Sequence, residues 1–158
     1  MPGPGTSFVG GPVATGTVPY TLGANLMDMG TASLSQTFTL TQNSTTAVSQ
    51  ALAIPQGAQI IDIITDTTVL WNSATSATLS VGNVAAGTQY ASGVDVKTTG
   101  LRIRPTYTAA QLTAMSNVGT NGNIVITITP VGATSAGTTI VTIIYDQNVN
   151  LTGGPTPP

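Results

Sequence analysis

The chain has 158 residues, of which 41% are hydrophobic and only 5% are charged, with a formal net charge of −2. It contains no His and no Cys, and its five acidic residues are all Asp. A catalytic histidine, a structural zinc site and thiol chemistry are therefore excluded. Its three basic residues are too few to attract nucleic acid or anionic lipid. The composition predicts a structural protein with no catalytic residue, cofactor or metal, and with neither nucleic acid nor a membrane as partner.

Residues 1–33 are predicted to form an extended N-terminal arm, because Pro and Gly interrupt every helical or strand period. Apolar side chains are nevertheless spaced along the arm, and five of them are candidates for contact with a partner: Phe8, Val9, Val13, Tyr20 and Leu22. A disordered tail is the alternative interpretation. An ordered arm would bind a partner or a sister subunit. The N-terminus resembles no secretory signal, so synthesis in a cytoplasm is expected.

Residues 34–147 are predicted to form a β domain, because apolar residues recur there with a period of two between turn signals. The expected strands cover residues 34–41, 48–54, 59–65, 77–81, 94–97, 101–104, 123–129 and about 138–146. The third of these is apolar on both faces, which predicts a central strand.

The only helical candidate lies at residues 108–115, with Thr108 as its N-cap. Short strands without long helices indicate an all-β fold, an antiparallel β-sandwich or jelly roll. Residues 148–158 contain several Pro and Gly and are expected to leave the domain as an extended tail.

Three groups of residues are candidates for chemistry. Asp62 and Asp66 would converge on Ca²⁺ if a strand ended between them, but the loop pattern of a calcium site is absent and Asp66 more often caps a turn. Trp71, the single indole, would stack on a sugar ring if it were exposed, although a core position is commoner for such a residue.

Arg102 and Arg104 are predicted to share the outward face of one strand. Two guanidinium groups placed in this way would bind carboxylates of a neighbouring protein. The alternative is an edge strand that charge protects from unwanted pairing.

Five segments of the domain resemble small β-sandwich proteins of tailed bacteriophages, namely the head decoration or cement proteins. They are Ile54-Pro55-x-Gly57-Ala58-x-Ile60-x-Asp62-Ile63, Ala77-Thr78-Leu79-Ser80-Val81-Gly82, Gly87-Thr88-x-Tyr90-Ala91-Ser92-Gly93, Asn117-Val118-Gly119-Thr120 and Ile143-Ile144-Tyr145. The resemblance implies a virion protein on the capsid exterior, made in the host cytoplasm. It also implies a homo-oligomer, commonly a trimer, that clamps neighbouring subunits of the major capsid protein.

Two other functions fit the same composition. A tail, fibre or host-surface adhesion module would also be all-β, poor in charge and rich in Thr and Gly. A carbohydrate-binding module would need an aromatic platform around an exposed Trp71, which is hard to build when aromatic residues make up 4% of the chain.

Overall fold

The structure is a computed structural model that describes residues 30–149, apart from Thr99 and Leu101. Ser33–Gln147 forms one compact unit. The five arm residues Phe8, Val9, Val13, Tyr20 and Leu22 lie outside the described residues, as does most of the predicted tail. The described elements are β1 (Gly30–Thr41), β2 (Val48–Ala53), β3 (Gln59–Val69), β4 (Ser76–Gly82), β5 (Ala91–Asp95), α1 (Ala109–Ser116), β6 (Asn123–Val131) and β7 (Thr138–Val149).

The strands form two antiparallel sheets, as the period-two pattern predicts. Sheet A has the order β1-β7-β3 and sheet B the order β2-β6-β4-β5. The chain moves back and forth between the sheets, since β1, β3 and β7 belong to one and β2, β4, β5 and β6 to the other. Most neighbouring strands are therefore distant in sequence, and the fold depends on long-range contacts.

Both sheets contribute to one hydrophobic core. Sheet A supplies residues such as Ile63 and Ile143, while sheet B supplies residues such as Leu79 and Ile126, and all four side chains are fully buried. Alternation along each strand directs these side chains to the same side of the sheet. The core thus joins the two sheets into one β domain.

The prediction of a central strand at residues 59–65 is wrong. β3 extends to Val69 and lies at the end of sheet A, whereas β7 occupies the centre. Ile61, at a register shift between Ile60 and Asp62, is exposed, but Ile63, Ile64 and Thr65 are all buried, so both faces of the strand are covered there. The apolar run therefore reflects burial on both faces of a strand that nevertheless lies at the end of its sheet.

Strand β6 is more deeply buried than its alternation predicts. Ile124, Ile126 and Ile128 face the core, but Val125 and Thr127 on the opposite face are buried as well. The hydroxyl of Thr127 lies 2.9 Å from the hydroxyl of Ser49 and accepts a hydrogen bond from the backbone N–H of Ala86. The connection between β4 and β5 therefore reaches the outer side of sheet B.

The predicted helix is present as α1, with Thr108 at its N-cap. The Thr108 hydroxyl accepts from the backbone N–H of Gln111, and the Gln111 side chain accepts from the backbone N–H of Thr108. This reciprocal capping satisfies two helix-start donors. No helix in the described part of the chain is long and apolar enough to span a bilayer.

Candidate interaction surface

The two candidate arginines lie beside the outer edge of β3, in a segment that is not a full strand. Ile103 between them pairs with Thr65 as a single antiparallel bridge, with N–H to carbonyl distances of 2.9 and 2.8 Å. Among the described residues of the predicted strand 101–104, which exclude Leu101, the pairing with β3 is the single bridge at Ile103. Pro105 follows directly and has no backbone N–H with which to continue the pairing.

Arg102 and Arg104 are both exposed, but their surroundings differ. The Nε of Arg104 lies 2.5 Å from Oδ2 of Asp62, and the Arg104 side chain remains 71% exposed while that of Asp62 is 16% exposed. The structure thus assigns Arg104 a carboxylate partner within the chain. Contact of either arginine with another protein remains a prediction.

Tyr107 completes the cluster around Asp62. Its hydroxyl accepts a hydrogen bond from the backbone N–H of Ile63 at 3.2 Å and lies 3.4 Å from the carbonyl oxygen of the same residue. Burial, supported by the nearby Asp62 carboxylate, raises the pKa of Tyr107 to about 12. The neutral phenol therefore occupies the edge of β3 where another strand would otherwise pair.

Asp62 and Asp66 do not form the calcium site considered from the sequence. β3 runs through both positions, so Asp66 lies within a strand, opposite Ile140, and does not cap a turn. Four residues along a strand span about 13 Å, far beyond the distance at which two carboxylates share one ion. Among the residues that the structure describes, no three acidic, His or Cys side chains lie close enough together to hold a metal ion.

Trp71 is a core residue. Its side chain is fully buried, and its indole N–H donates to the hydroxyl of Thr139 at 2.9 Å. Thr139 in turn lies 3.1 Å from the hydroxyl of Thr67. The indole cannot stack on a sugar ring at the surface, which removes the residue on which the carbohydrate-binding interpretation depended.

A cleft of about 420 Å³ separates α1 from the connection between β4 and β5. The buried side chain of Gln111 lines this cleft. The Gln111 amide N–H₂ donates to the carbonyl of Thr88 at 3.0 Å and to the hydroxyl of Ser92 at 3.1 Å, and so links the two sides of the cleft. These bonds, with the helix cap, satisfy the Gln111 amide from within the chain. The arrangement ties α1 to β5 and to the connection before it, and assigns Gln111 a structural role.

The outer face of sheet A mixes hydroxyl and carboxylate groups with three isoleucines, Ile64, Ile140 and Ile144. The Thr37 hydroxyl lies 3.0 Å from that of Thr142, and Ser33 bonds to Asp146 near the other end of the same strands. Asp62 and Asp66 lie on this face too, since the strand alternation turns them away from buried Ile63 and Thr65. This face is therefore partly apolar, and Ile64 on it is buried.

Sequence reasoning found the two arginines but missed Tyr107 and Gln111. The sequence does contain a signal for Gln111, since Thr108-x-x-Gln111 is the spacing of a capping box. Nothing in the sequence indicates that the Tyr107 hydroxyl meets β3, because the two are separated by more than forty residues and no period relates them.

Comparisons with known proteins identify no family. No protein-family model matches the chain, and no curated protein sequence matches it. Among solved structures, a chain described as "Cyanophage Pam1 capsid asymmetric unit" is similar, with a TM-score of 0.44 and 22% identity over 74% of this chain and 83% of that chain. A likeness at this level defines neither the fold nor the function of the present chain.

Proposed function

We propose that this chain is a structural virion protein that binds the outer surface of an assembled tailed-phage capsid and holds neighbouring capsid subunits together. Its partner is the major capsid protein, and it acts as a homo-oligomer, for which the family resemblance implies a trimer. It needs no catalysis, cofactor or metal. The two sheets with a common core support a sandwich-type body, and a jelly-roll topology stays a prediction.

The observation that carries the proposal is that all five segments with the family resemblance contribute buried side chains to one hydrophobic core. The turn after β2 meets the segment before β6, where the N–H of Gly57 donates to Gly119 at 2.9 Å and the N–H of Val118 donates to Ala58 at 3.0 Å. The first and fourth segments thus form one local framework, as expected if the resemblance reflects a common architecture.

The other resembling segments are joined in the same way. The N–H of Tyr90 donates to Val81 at 2.9 Å, and Gly82 packs so closely on Gly87 that a Cβ at position 82 would lie 2.5 Å from the Gly87 carbonyl carbon. Ile63 and Ile143 are direct partners across β3 and β7. The pattern therefore requires Gly at position 82, because a larger residue there would clash with Gly87.

The physical properties of the body fit attachment to a large symmetric shell. A surface with few charges has little mutual repulsion, so many copies can lie side by side. Each contact can be weak, because repetition by symmetry raises the effective concentration of every further contact. A protein that binds only the intact shell stabilises it by mass action.

Arg102 and the apolar arm residues would supply the contacts that reach the shell. An exposed guanidinium binds carboxylates with two parallel hydrogen bonds. Apolar anchors on an extended segment add contact area without a second core. The tail, fibre or adhesion alternative shares these properties, so binding to capsids is the measurement that separates them.

Capsids prepared without this chain provide the test. Purified protein added in increasing amounts should saturate at a fixed ratio to the major capsid protein in co-sedimentation, as expected for symmetry-defined sites. Heat-disrupted capsids serve as the control and should retain much less protein. Equal retention by intact and disrupted capsids, or no saturation, would contradict the proposal.

A further inference from the structure

The two sheets have four edges, and three of them are blocked or short. The outer edge of β3 is covered at Thr65 by the Ile103 bridge and at Ile63 by the Tyr107 hydroxyl. β5 has only five residues and includes Gly93 in a left-handed conformation, with φ of 68°. β2 has six residues. These are the usual ways of preventing a sheet edge from pairing with another chain.

The fourth edge, that of β1, lacks these features. β1 has twelve residues without charge or Pro. No strand among the described residues pairs with its outer side, since β1 ends the order of sheet A. Its alternating pattern of hydroxyl and apolar side chains has high strand propensity. A long, uncharged edge of this type is a template for another strand.

The register of β1 on β7 identifies which backbone groups point outward. The N–H of Gln42 donates to Gly137 at 2.9 Å, and the hydroxyls of Thr37 and Thr142 meet in the same register. In an antiparallel pair, residues alternate between bonding to the partner and pointing away from it. The even-numbered residues of β1 therefore bond to β7, and the odd-numbered ones point outward.

The carbonyl of Thr39 confirms this direction. It accepts a hydrogen bond from the side-chain amide of Gln50, which belongs to β2 in the other sheet, at 3.1 Å. Its direction away from β7 agrees with the register. The outward groups of Ser33, Ser35 and Thr37 are thus available for pairing at the described edge.

We propose that β1 pairs antiparallel with β1 of a second copy of this chain, about a two-fold axis at Gln36. Ser35 of one copy would then form a hydrogen-bonded pair with Thr37 of the other, which uses the outward backbone groups. Gln36 would face its own counterpart. The two three-stranded sheets would become one continuous six-stranded sheet.

The side chains of β1 are complementary in this register. Leu34 is 40% exposed, and Phe38 is only partly buried against the core. The two-fold axis places Leu34 of one copy beside Phe38 of the other, so both gain apolar contact. Aromatic and aliphatic pairs directly opposite each other stabilise a strand pair. No like charges meet, because β1 carries none.

A two-fold contact through β1 cannot close a ring of three. The proposed pair therefore differs from the trimer that the family resemblance implies, and the mass of the oligomer separates the two. Because the contact is short, we expect a dimer in exchange with monomer rather than a permanent one. The mass should rise with concentration and approach that of two chains.

Cysteine cross-linking tests the axis directly, since the natural chain has no Cys. Residues in a non-hydrogen-bonded antiparallel pair have Cα atoms about 4.5 Å apart, within the range of a disulfide. Gln36→Cys should therefore form an intermolecular disulfide on mild oxidation. Thr41→Cys is the matched control on the same strand, because its two copies would lie about 34 Å apart. Equal cross-linking of the two variants would overturn the proposal.

Charge variants at the axis give a second, independent readout. Gln36→Lys and Gln36→Glu would each place like charges opposite each other and weaken dimerisation by about fivefold or more. An equal mixture of the two variants should restore the dimer, which also shows that both remain folded. The proposal would be overturned if the mixture failed to associate. It would also be overturned if the wild-type protein had the mass of a trimer, or the mass of a monomer at every concentration.

Discussion

Gly137 lies with its Cα against the ring of Trp71, so closely that a Cβ at position 137 would be 2.6 Å from Cδ2 of the indole. The ring is fully buried and cannot move aside without disturbing the core. The connection between β6 and β7 is thus fixed by a contact that only Gly permits.

The Gly137→Ala variant should lose about 1–3 kcal/mol of unfolding free energy, the usual cost of overpacking a core. Urea unfolding followed by the fluorescence of the single Trp measures this loss. Gly100→Ala is the control, because its new Cβ would approach closely only the end of the half-exposed Leu70 side chain, at 3.1 Å, and would lie 3.7 Å from the Thr67 carbonyl oxygen, an ordinary contact distance. Similar losses for the two variants would show that the Trp71 contact is not the cause.

Thr139→Val should also destabilise the domain, because it leaves the indole N–H of Trp71 and the hydroxyl of Thr67 without their buried partner. An unsatisfied buried polar group costs about 1–3 kcal/mol. The control is Thr142→Val on the same strand, whose hydroxyl bond to Thr37 is exposed, and whose change should stay within about 0.5 kcal/mol. Combining Thr139→Val with Trp71→Phe should cost less than the sum of the separate changes.

Stability should fall as pH rises from about 10 to about 12, partly through Tyr107. The folded protein keeps the Tyr107 proton up to a pKa of about 12, whereas an exposed tyrosine has a pKa of about 10. Deprotonation therefore favours the unfolded chain within this window, and the Tyr107 contribution is complete below it. Urea unfolding across the window should show a smaller decline in Tyr107→Phe. An identical decline would show that Tyr107 does not couple to folding.

Capsid affinity should depend more on Arg102 than on Arg104. The Arg104 guanidinium already binds Asp62, so it is less available to bind a carboxylate of the capsid. Its removal should therefore weaken capsid binding less. We expect Arg102→Ala to weaken binding by about tenfold, as for loss of one charge-assisted contact, and Arg104→Ala by clearly less. Co-sedimentation with intact capsids gives both values. A larger effect of Arg104→Ala would contradict the proposed division between the two residues.

The sequence predicts most of the strands because alternation survives wherever one face of a strand is buried. Residues 34–41, 48–54 and 123–129 fall on β1, β2 and β6, and Thr108 as N-cap locates α1. Strand alternation and helix capping are local features, so each can be recognised within a single segment of the sequence. The prediction of a strand at residues 101–104 is wrong although its residues alternate. Pro105 and the position beside the edge of β3 limit the observed pairing to Ile103.

The order of strands in the sheets and the candidate surface could not be predicted in the same way. β3 looks central because Ile63 and Ile64 are buried on opposite faces, and the sequence does not show that the strand lies at the end of sheet A. The Asp62 cluster joins residues more than forty positions apart. Trp71 looks like a possible sugar platform until Gly137 and Thr139 are seen to enclose it. Contacts between residues so far apart in the sequence form only in the complete fold.

The most direct test of the proposed capsid role is the temperature at which capsids rupture, measured by release of packaged DNA to an external dye. Capsids saturated with the wild-type protein should rupture at a higher temperature than capsids without it, because binding to the intact shell alone shifts the equilibrium toward it. Subsaturating protein should give an intermediate shift. Identical rupture temperatures with and without bound protein would contradict the stabilising role.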